Sequence, residues 1–271
     1  MKNYYKIGKA DLYIKDSSNM SELKDESVNL IITSPPYWTL KNYNSNEQIG
    51  FGAKSYEEYI QSLNNVWKEC VRVLAPDGKF CINIMPIFLS GKNGSFKRRE
   101  TKLVITDIEN FMVSTGKMYL FATYIWDKRK IVRFSSFGSY PYPPNIFSTF
   151  PFEWIIVFSK KGKREKVSKN IKDKSIITHE EWEKWAINSF WEMQPAKSSK
   201  ENHPAPFPDE LPRRLIKLYS FWDDLVLDPF LGSGTTAKVA LDLGRRTVGY
   251  EINNDYLPLI FNKLNNIFNN G

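Results

Sequence analysis

Cysteine is scarce in this 271-residue sequence: only Cys70 and Cys81 are present. Two cysteines cannot staple a fold of this length, and no Cys-x-x-Cys or Cys/His cluster suggests zinc, so no metal is expected. Cys70 falls on the apolar stripe of a predicted helix and Cys81 inside a predicted strand, so both read as core rather than as nucleophiles. Histidine is equally rare. His179 reads as a surface residue, and His203, ahead of Pro-Ala-Pro-Phe-Pro, as one that shapes a pocket without acting as a general base. No apolar run approaches the roughly 18 residues of a membrane span. The opening Met-Lys-Asn-Tyr-Tyr-Lys leads into no apolar stretch, so no secretory signal is expected and a cytoplasmic location is. There is no internal repeat, no low-complexity tract and no Gly-Lys-Ser/Thr of a Walker phosphate loop.

What is present is an ordinary globular composition, 42% hydrophobic and 25% charged, with 15% aromatic residues and a net charge of +8. The positive charge is concentrated. The window 160–174 holds Lys160, Lys161, Lys163, Arg164, Lys166, Lys169, Lys172 and Lys174 against Glu165 and Asp173. A second cluster is Lys92, Lys97, Arg98, Arg99 and Lys102, and a third is Lys128, Arg129, Lys130 and Arg133. One such run is ordinarily a solvated loop. Three of them beside aromatic-rich segments point to contacts with a phosphate backbone.

The hydrophobic pattern alternates between strand and helix. Apolar runs at 28–33, 80–85, 119–126, 152–158, 225–228 and 247–251 read as strands. Helical spacing of Tyr56, Tyr59, Ile60, Leu63, Trp67, Cys70 and Leu74 predicts a helix capped by Ser55. Further helices are expected at 101–114, 180–188, 235–243 and 255–268, with Leu211, Leu215, Leu218 and Tyr219 as the face of another, and Pro76-Asp77-Gly78 as a turn. Strands separated by helices predict an α/β fold with a doubly wound, mostly parallel sheet. Residues 160–205 are basic, polar and weakly periodic. They are expected to form a small inserted recognition region, dividing the single domain into 1–159 and 206–271.

Two constellations carry the chemistry. Asp228-Pro-Phe-Leu-Gly-Ser-Gly-Thr-Thr236 lies between a predicted strand and a predicted helix, with Glu251 ending the next strand. A glycine turn there lets backbone approach a ligand and aims helix N–H groups at it, and the acid is placed to accept from ribose hydroxyls. The Phe-x-Gly-x-Gly spacing does not match the longer dinucleotide fingerprint. A nucleoside site is the better reading than a plain tight turn. The second constellation is Thr33-Ser34-Pro35-Pro36-Tyr37-Trp38. Two prolines stiffen the loop and remove two backbone donors, leaving carbonyls and the Ser34 hydroxyl as acceptors beside the flat ring of Tyr37. That set suits a planar heterocycle with an exocyclic amine. Trp38, Trp182, Trp185 and Trp191 are candidates for stacking on bases; Trp182 and Trp185 read better as packing within a helix, and Trp38 as the pocket residue.

With Phe137-Gly-Ser-Tyr-Pro-Tyr-Pro-Pro144, Phe152-Glu-Trp-Ile-Ile-Val-Phe-Ser-Lys160 and His203-Pro-Ala-Pro-Phe-Pro208, these motifs resemble the β group of S-adenosylmethionine-dependent DNA amino-methyltransferases of restriction–modification systems. The resemblance covers most of the chain. Catalytic loop first and cofactor loop second is that group's permuted order, on a Rossmann-like methyltransferase fold. It weighs against the Asn-Pro-Pro-Tyr enzymes acting on protein glutamine or RNA guanine. By resemblance, Phe230, Gly232 and Gly234 shape the S-adenosylmethionine loop, Asp228 and Thr235 support it, and Glu251 takes the ribose diol. Asp16 and Ser17 meet the adenine ring, although Lys15 precedes Asp16 where the family has glycine. His203 covers the methionine end. Ser34, Pro35, Pro36 and Tyr37 hold a base flipped out of double-stranded DNA. Trp38, Lys97, Arg98, Arg99, Lys160, Lys161, Lys163, Arg164 and Lys166 are expected at the DNA. Members with Ser-Pro-Pro-Tyr usually methylate cytosine at N4; Asp-Pro-Pro-Tyr usually marks adenine N6, which stands as the alternative. A cognate endonuclease and a homodimer are the partners the resemblance adds. A DNA-binding module without catalysis is the rival from another class, and the two intact loops speak against it.

Overall fold

A computed structural model of the chain describes residues 3–38, 49, 50, 53, 55–92, 94, 97–131, 136–196 and 207–269. Its strands are β1 (Tyr4–Ile7), β2 (Ala10–Ile14), β3 (Val28–Thr33), β4 (Leu74–Ile84), β5 (Ile87–Leu89), β6 (Glu100–Lys102), β7 (Met118–Asp127), β8 (Ser136–Ser139), β9 (Tyr142–Ser148), β10 (Phe152–Lys160), β11 (Phe190–Glu192), β12 (Leu225–Asp228) and β13 (Arg246–Glu251). The longer helices are α1 (Tyr56–Val73), α2 (Val104–Ser114), α3 (Glu210–Tyr219), α4 (Thr235–Asp242) and α5 (Leu257–Asn269).

One nine-stranded sheet organises the molecule, in the order β1-β2-β13-β12-β3-β4-β10-β7-β11. The five strands from β2 to β4 run parallel, β10 is antiparallel to both β4 and β7, and β11 runs parallel to β7. The expected doubly wound, mostly parallel α/β sheet is therefore present. Helices cover both faces because the central strands are apolar on both sides. Ile31, Phe80 and Ile82 pack toward α1 and α2, whereas Leu30, Ile32, Cys81 and Val226 pack toward α3 and the Trp185–Trp191 segment.

Local chemistry explains the elements. Ser55 caps α1, accepting from the Glu58 N–H at 3.2 Å, and Tyr59, Leu63, Val66, Trp67 and Cys70 form its buried stripe. The turn at Pro76–Gly78 is a bulge inside β4: Val28 faces Leu74 and Leu30 faces Lys79 across it, with Asp77 at φ 60°. The helix expected from 101 starts only at Val104, because Glu100–Lys102 pairs with β5. The helix expected over 180–188 is a capped turn at His179–Glu181 continued by a wide-turn segment, Trp182–Ile187. Cys70 and Cys81 are fully buried, and burial raises both thiols, as core residues require. Among the described residues, no helix is long and apolar enough to cross a membrane.

Candidate active site

Strand register decides what the site contains. Glu251 faces Ile14, Asp228 faces Gly249, and Thr33 faces Ile82. The carboxyl ends of β2, β13, β12, β3 and β4 therefore form one edge, carrying Asp16, Glu251, Asp228, Ser34 and Asn83 in spatial order. β12 leads through α4 to β13 on one side, and its neighbour β3 leads through α1 to β4 on the other. Their loops diverge there, which is the switch point where ligands bind in open parallel sheets.

Asp228 ties the two halves of the site together. Its carboxylate accepts from Thr33 Oγ1 (2.8 Å) on the catalytic strand, from Thr236 Oγ1 (2.6 Å) on α4 and from the Phe230 N–H (3.0 Å). Burial raises its carboxyl to about 6, against three donors that favour the charged form. All its contacts are internal, so Asp228 supports the glycine loop from beneath. Gly232 and Gly234 sit at positive φ, 54° and 85°, where a side chain would be strained, and α4 begins directly after Gly234. Glu251 accepts from the Gly232 N–H at 2.7 Å and the Asn253 N–H at 2.8 Å. Burial raises it to about 7. Its oxygens keep further lone pairs for two vicinal hydroxyls. Lys263, which sequence reading missed, donates to Ser233 Oγ (2.8 Å) and Thr235 Oγ1 (3.0 Å) from α5. Asp16 is exposed beyond β2, its carboxylate held by the Ser18 N–H and hydroxyl at 2.9 and 2.6 Å, and Ser17 is buried. Phe230 lies half-buried, its ring edge-on to Trp67.

The second loop leaves β3 at Ser34. Ser34 Oγ and the Tyr37 hydroxyl are 3.3 Å apart, and Tyr59 on α1 donates its hydroxyl to the Pro36 carbonyl at 2.9 Å. Trp38 is corrected: it is buried behind the loop, stacked on Tyr59 and edge-on to Tyr56, rather than offered to a base. A Cβ on Gly50 would come within 2.9 Å of the Trp38 backbone, so glycine is required there. Trp191 is also corrected. It is fully buried, stacked on Tyr124 at 4.3 Å. One ladder position past Ile82, Asn83 Nδ2 donates to Glu153 Oε2 at 2.5 Å, and the same carboxylate pairs with Lys128, whose ammonium lies 3.9 Å above the Trp126 ring. This buried polar group beside the catalytic loop was not legible, because its members are 70 and 25 residues apart.

The basic run at 160–174 is corrected by topology. β10 starts at the catalytic edge and ends at Lys160, so the run begins roughly 26 Å away at the opposite edge of the sheet. Lys160 is 5% exposed, its ammonium bonded to the Val71 and Leu74 carbonyls and paired with Glu26. Arg164 forks onto Asp224 and stacks on Phe221. Both are structural rather than DNA contacts. Lys161, Lys163 and Lys166 are exposed on that far edge. Lys97, Arg98 and Arg99, by contrast, are exposed in the β5–β6 loop beyond the carboxyl end of β4. His203 lies outside the described residues.

A glycine loop, a buried acid at the next strand end and a proline-rich loop, joined at a switch point, are the arrangement of an α/β enzyme with a nucleoside cofactor. The chain belongs to the DNA methylase family, whose model matches residues 28–262. It is 35% identical to the type II methyltransferase M.MjaI of Methanocaldococcus jannaschii, over 92% of this chain and 89% of that protein. It is 33% identical to M.MthZI of Methanothermobacter thermautotrophicus, over 94% and 76%. The structure superposes on TTHA0409 of Thermus thermophilus, solved with S-adenosyl-L-methionine, with a TM-score of 0.73 and 28% identity over 94% of each chain. It shares the fold of the cytosine-N4-specific PvuII DNA methyltransferase (TM-score 0.64, 21% identity, 97% of this chain and 93% of that one).

Proposed function

We propose that the chain methylates the N4 amine of cytosine in a base flipped out of double-stranded DNA, using S-adenosylmethionine, as the modification enzyme of a restriction–modification system in the cytoplasm. The observation that carries this reading is the Thr33–Asp228 hydrogen bond, which locks the Ser34–Tyr37 loop to the glycine loop across the switch point. The chemistry of the site fits the cofactor. Glu251 is a buried acceptor suited to a ribose diol, Asp16 and Ser17 stand at the adjacent strand end for the adenine, and Gly232 and Gly234 supply the positive φ that turns the loop between them. When bound, S-adenosylmethionine supplies an electrophilic methyl group on a sulfonium.

The chain's own residues position the acceptor. The flipped base, which costs a few kcal/mol to unstack, meets the loop at Ser34 and the Tyr37 hydroxyl beside it; the Tyr37 ring itself is only 6% exposed, so it supports the pocket rather than offering a free face for stacking. Ser34 Oγ and the Pro35 carbonyl accept the amine's hydrogens and turn its lone pair toward the methyl group. Tyr59 fixes the loop through the Pro36 carbonyl. Positioning is the main contribution. Ser34 at the head of the motif favours cytosine, because a hydroxyl can donate toward a ring nitrogen as well as accept; adenine N6 is the alternative. The supporting relatives are named as type II methyltransferases.

Single-molecule sequencing of DNA from cells carrying the gene, against a gene-free control, tests this. The expected result is N4-methylcytosine at one short motif. N6-methyladenine instead would overturn the base assignment and keep the enzyme. No new modification from expressed, folded protein would sink the methyltransferase reading.

A further inference from the structure

Two hairpins rise from the catalytic edge of the sheet. β5–β6 follows the carboxyl end of β4, and β8–β9 connects the carboxyl end of β7 to the start of β10. They are joined by rings: Phe88 of β5 lies 6.1 Å edge-on to Phe147 of β9 and 6.1 Å from Phe150. The β8–β9 hairpin presents aromatic surface to solvent, with Tyr140 93% and Tyr142 72% exposed at its tip. Ile146 on the same hairpin is 64% exposed as well, and a cluster of large apolar side chains left in solvent on one hairpin is the kind of surface that binding buries. The charge around it is mostly positive, and the carboxylates that border it, Glu100, Asp127 and Glu153, are each paired with a neighbouring cation, Lys102, Arg129 and Lys128. Segments 86–99 and 128–152 contain no Asp or Glu, in a chain with 30 of them, and they hold Lys92, Lys97 and Arg98 in the β5–β6 loop. The larger basic run lies at the opposite edge of the sheet, beyond the end of β10.

We infer that these paired hairpins are the DNA grip beside the target base: Tyr140 and Tyr142 enter the duplex, and Lys92, Lys97 and Arg98 take its phosphates. The inference rests on the methyltransferase reading. A two-stranded antiparallel ribbon has the dimensions to enter a groove, and aromatic side chains substitute for stacking lost when a base leaves the helix. A polyanion answers the surplus of lysine and arginine left once those carboxylates are paired, which a purely apolar partner surface would not require.

The probe is a duplex carrying the sequence found methylated, with 2-aminopurine at the target position. The Tyr140→Ala/Tyr142→Ala variant is expected to weaken duplex binding at least tenfold and to lower the 2-aminopurine signal, with S-adenosylmethionine affinity unchanged. The Lys97→Ala/Arg98→Ala variant is expected to flatten the slope of log K against log salt by about 2, near 0.9 per phosphate contact. Lys169→Ala/Lys172→Ala, on the far edge, is expected to change neither. The inference is overturned if the tyrosine variant binds and flips DNA like the parent, or if it loses cofactor binding as well. It is equally overturned if sedimentation shows that the variant acts by dissociating a dimer, or if the salt slope follows the far-edge pair. A parent protein that neither methylates nor binds DNA sinks the underlying functional reading instead.

Discussion

Asp228 and Glu251 are both buried carboxyls, yet they do different work. Asp228 spends its acceptor capacity on Thr33, Thr236 and the Phe230 N–H, so it holds the loops together. Glu251 receives two backbone N–H groups and keeps lone pairs available. Its raised carboxyl, about 7 against an ordinary 4.5, sets two signs. Only the ionised form accepts from both ribose hydroxyls, so cofactor affinity should fall as pH drops below about 7. In the apo protein the folded state binds more protons than the unfolded state between about pH 4.5 and 7, so this group's contribution to stability falls as pH rises through that window. Glu251→Gln should weaken S-adenosylmethionine binding by tenfold to a hundredfold, about 1.5–3 kcal/mol, and flatten its pH dependence in calorimetry. The variant's stability relative to the parent should improve from about pH 5 to pH 8. Affinity unchanged by the substitution would remove Glu251 from the site.

At the scale of elements, the clearest case is Lys160. Read along the chain it heads a basic run; in the fold its ammonium closes the carboxyl end of α1 by bonding the Val71 and Leu74 carbonyls. Those carbonyls lack partners within the helix, and a cation there also meets the negative end of the helix dipole. Lys160→Ala should cost about 2–3 kcal/mol in denaturant unfolding, because charged hydrogen bonds are lost and carbonyls left buried, while the salt dependence of DNA binding stays as in the parent. A changed salt slope would return Lys160 to the DNA interface. Helix α1 itself was legible, since its apolar spacing and Ser55 cap act within 18 residues. The placement of Trp38 and Trp191 was not. An aromatic residue in a polar stretch reads alike whether it faces solvent or, as here, packs on Tyr59 or Tyr124.

At the scale of the whole molecule, the permuted order matters little to the finished site. The catalytic strand comes early in the chain and the cofactor strand late, and β12 pairs directly with β3, Leu227 facing Ile31. A cofactor bound across β2, β13, β12 and β3 therefore clamps both ends of the sequence. S-adenosylmethionine at a hundredfold excess over its Kd should stabilise the fold by about 2.7 kcal/mol, a rise in Tm of roughly 5–10 °C. Glu251→Gln should lose most of that shift at equal cofactor concentration, and differential scanning fluorimetry reads both. A melting point indifferent to the cofactor would count against a cofactor site across these strands. The fold also divides the positive charge into a catalytic edge and a far edge, a division invisible in the net value of +8.

The sequence by itself determined the α/β class and marked out the two loops at the switch point, with the glycine and acidic positions flanking them. Each of these is written in short-range terms: the spacing of apolar residues, a glycine where φ must be positive, a proline where a donor must be absent. Only the tertiary structure decided that Asp228 joins the loops, that Lys160 and Arg164 are internal ties, and that the basic residues at the catalytic edge belong to the hairpins. Those outcomes depend on strand order and direction. A strand's direction carries the residue after it to one edge of the sheet or the other, and no local pattern in the chain encodes which.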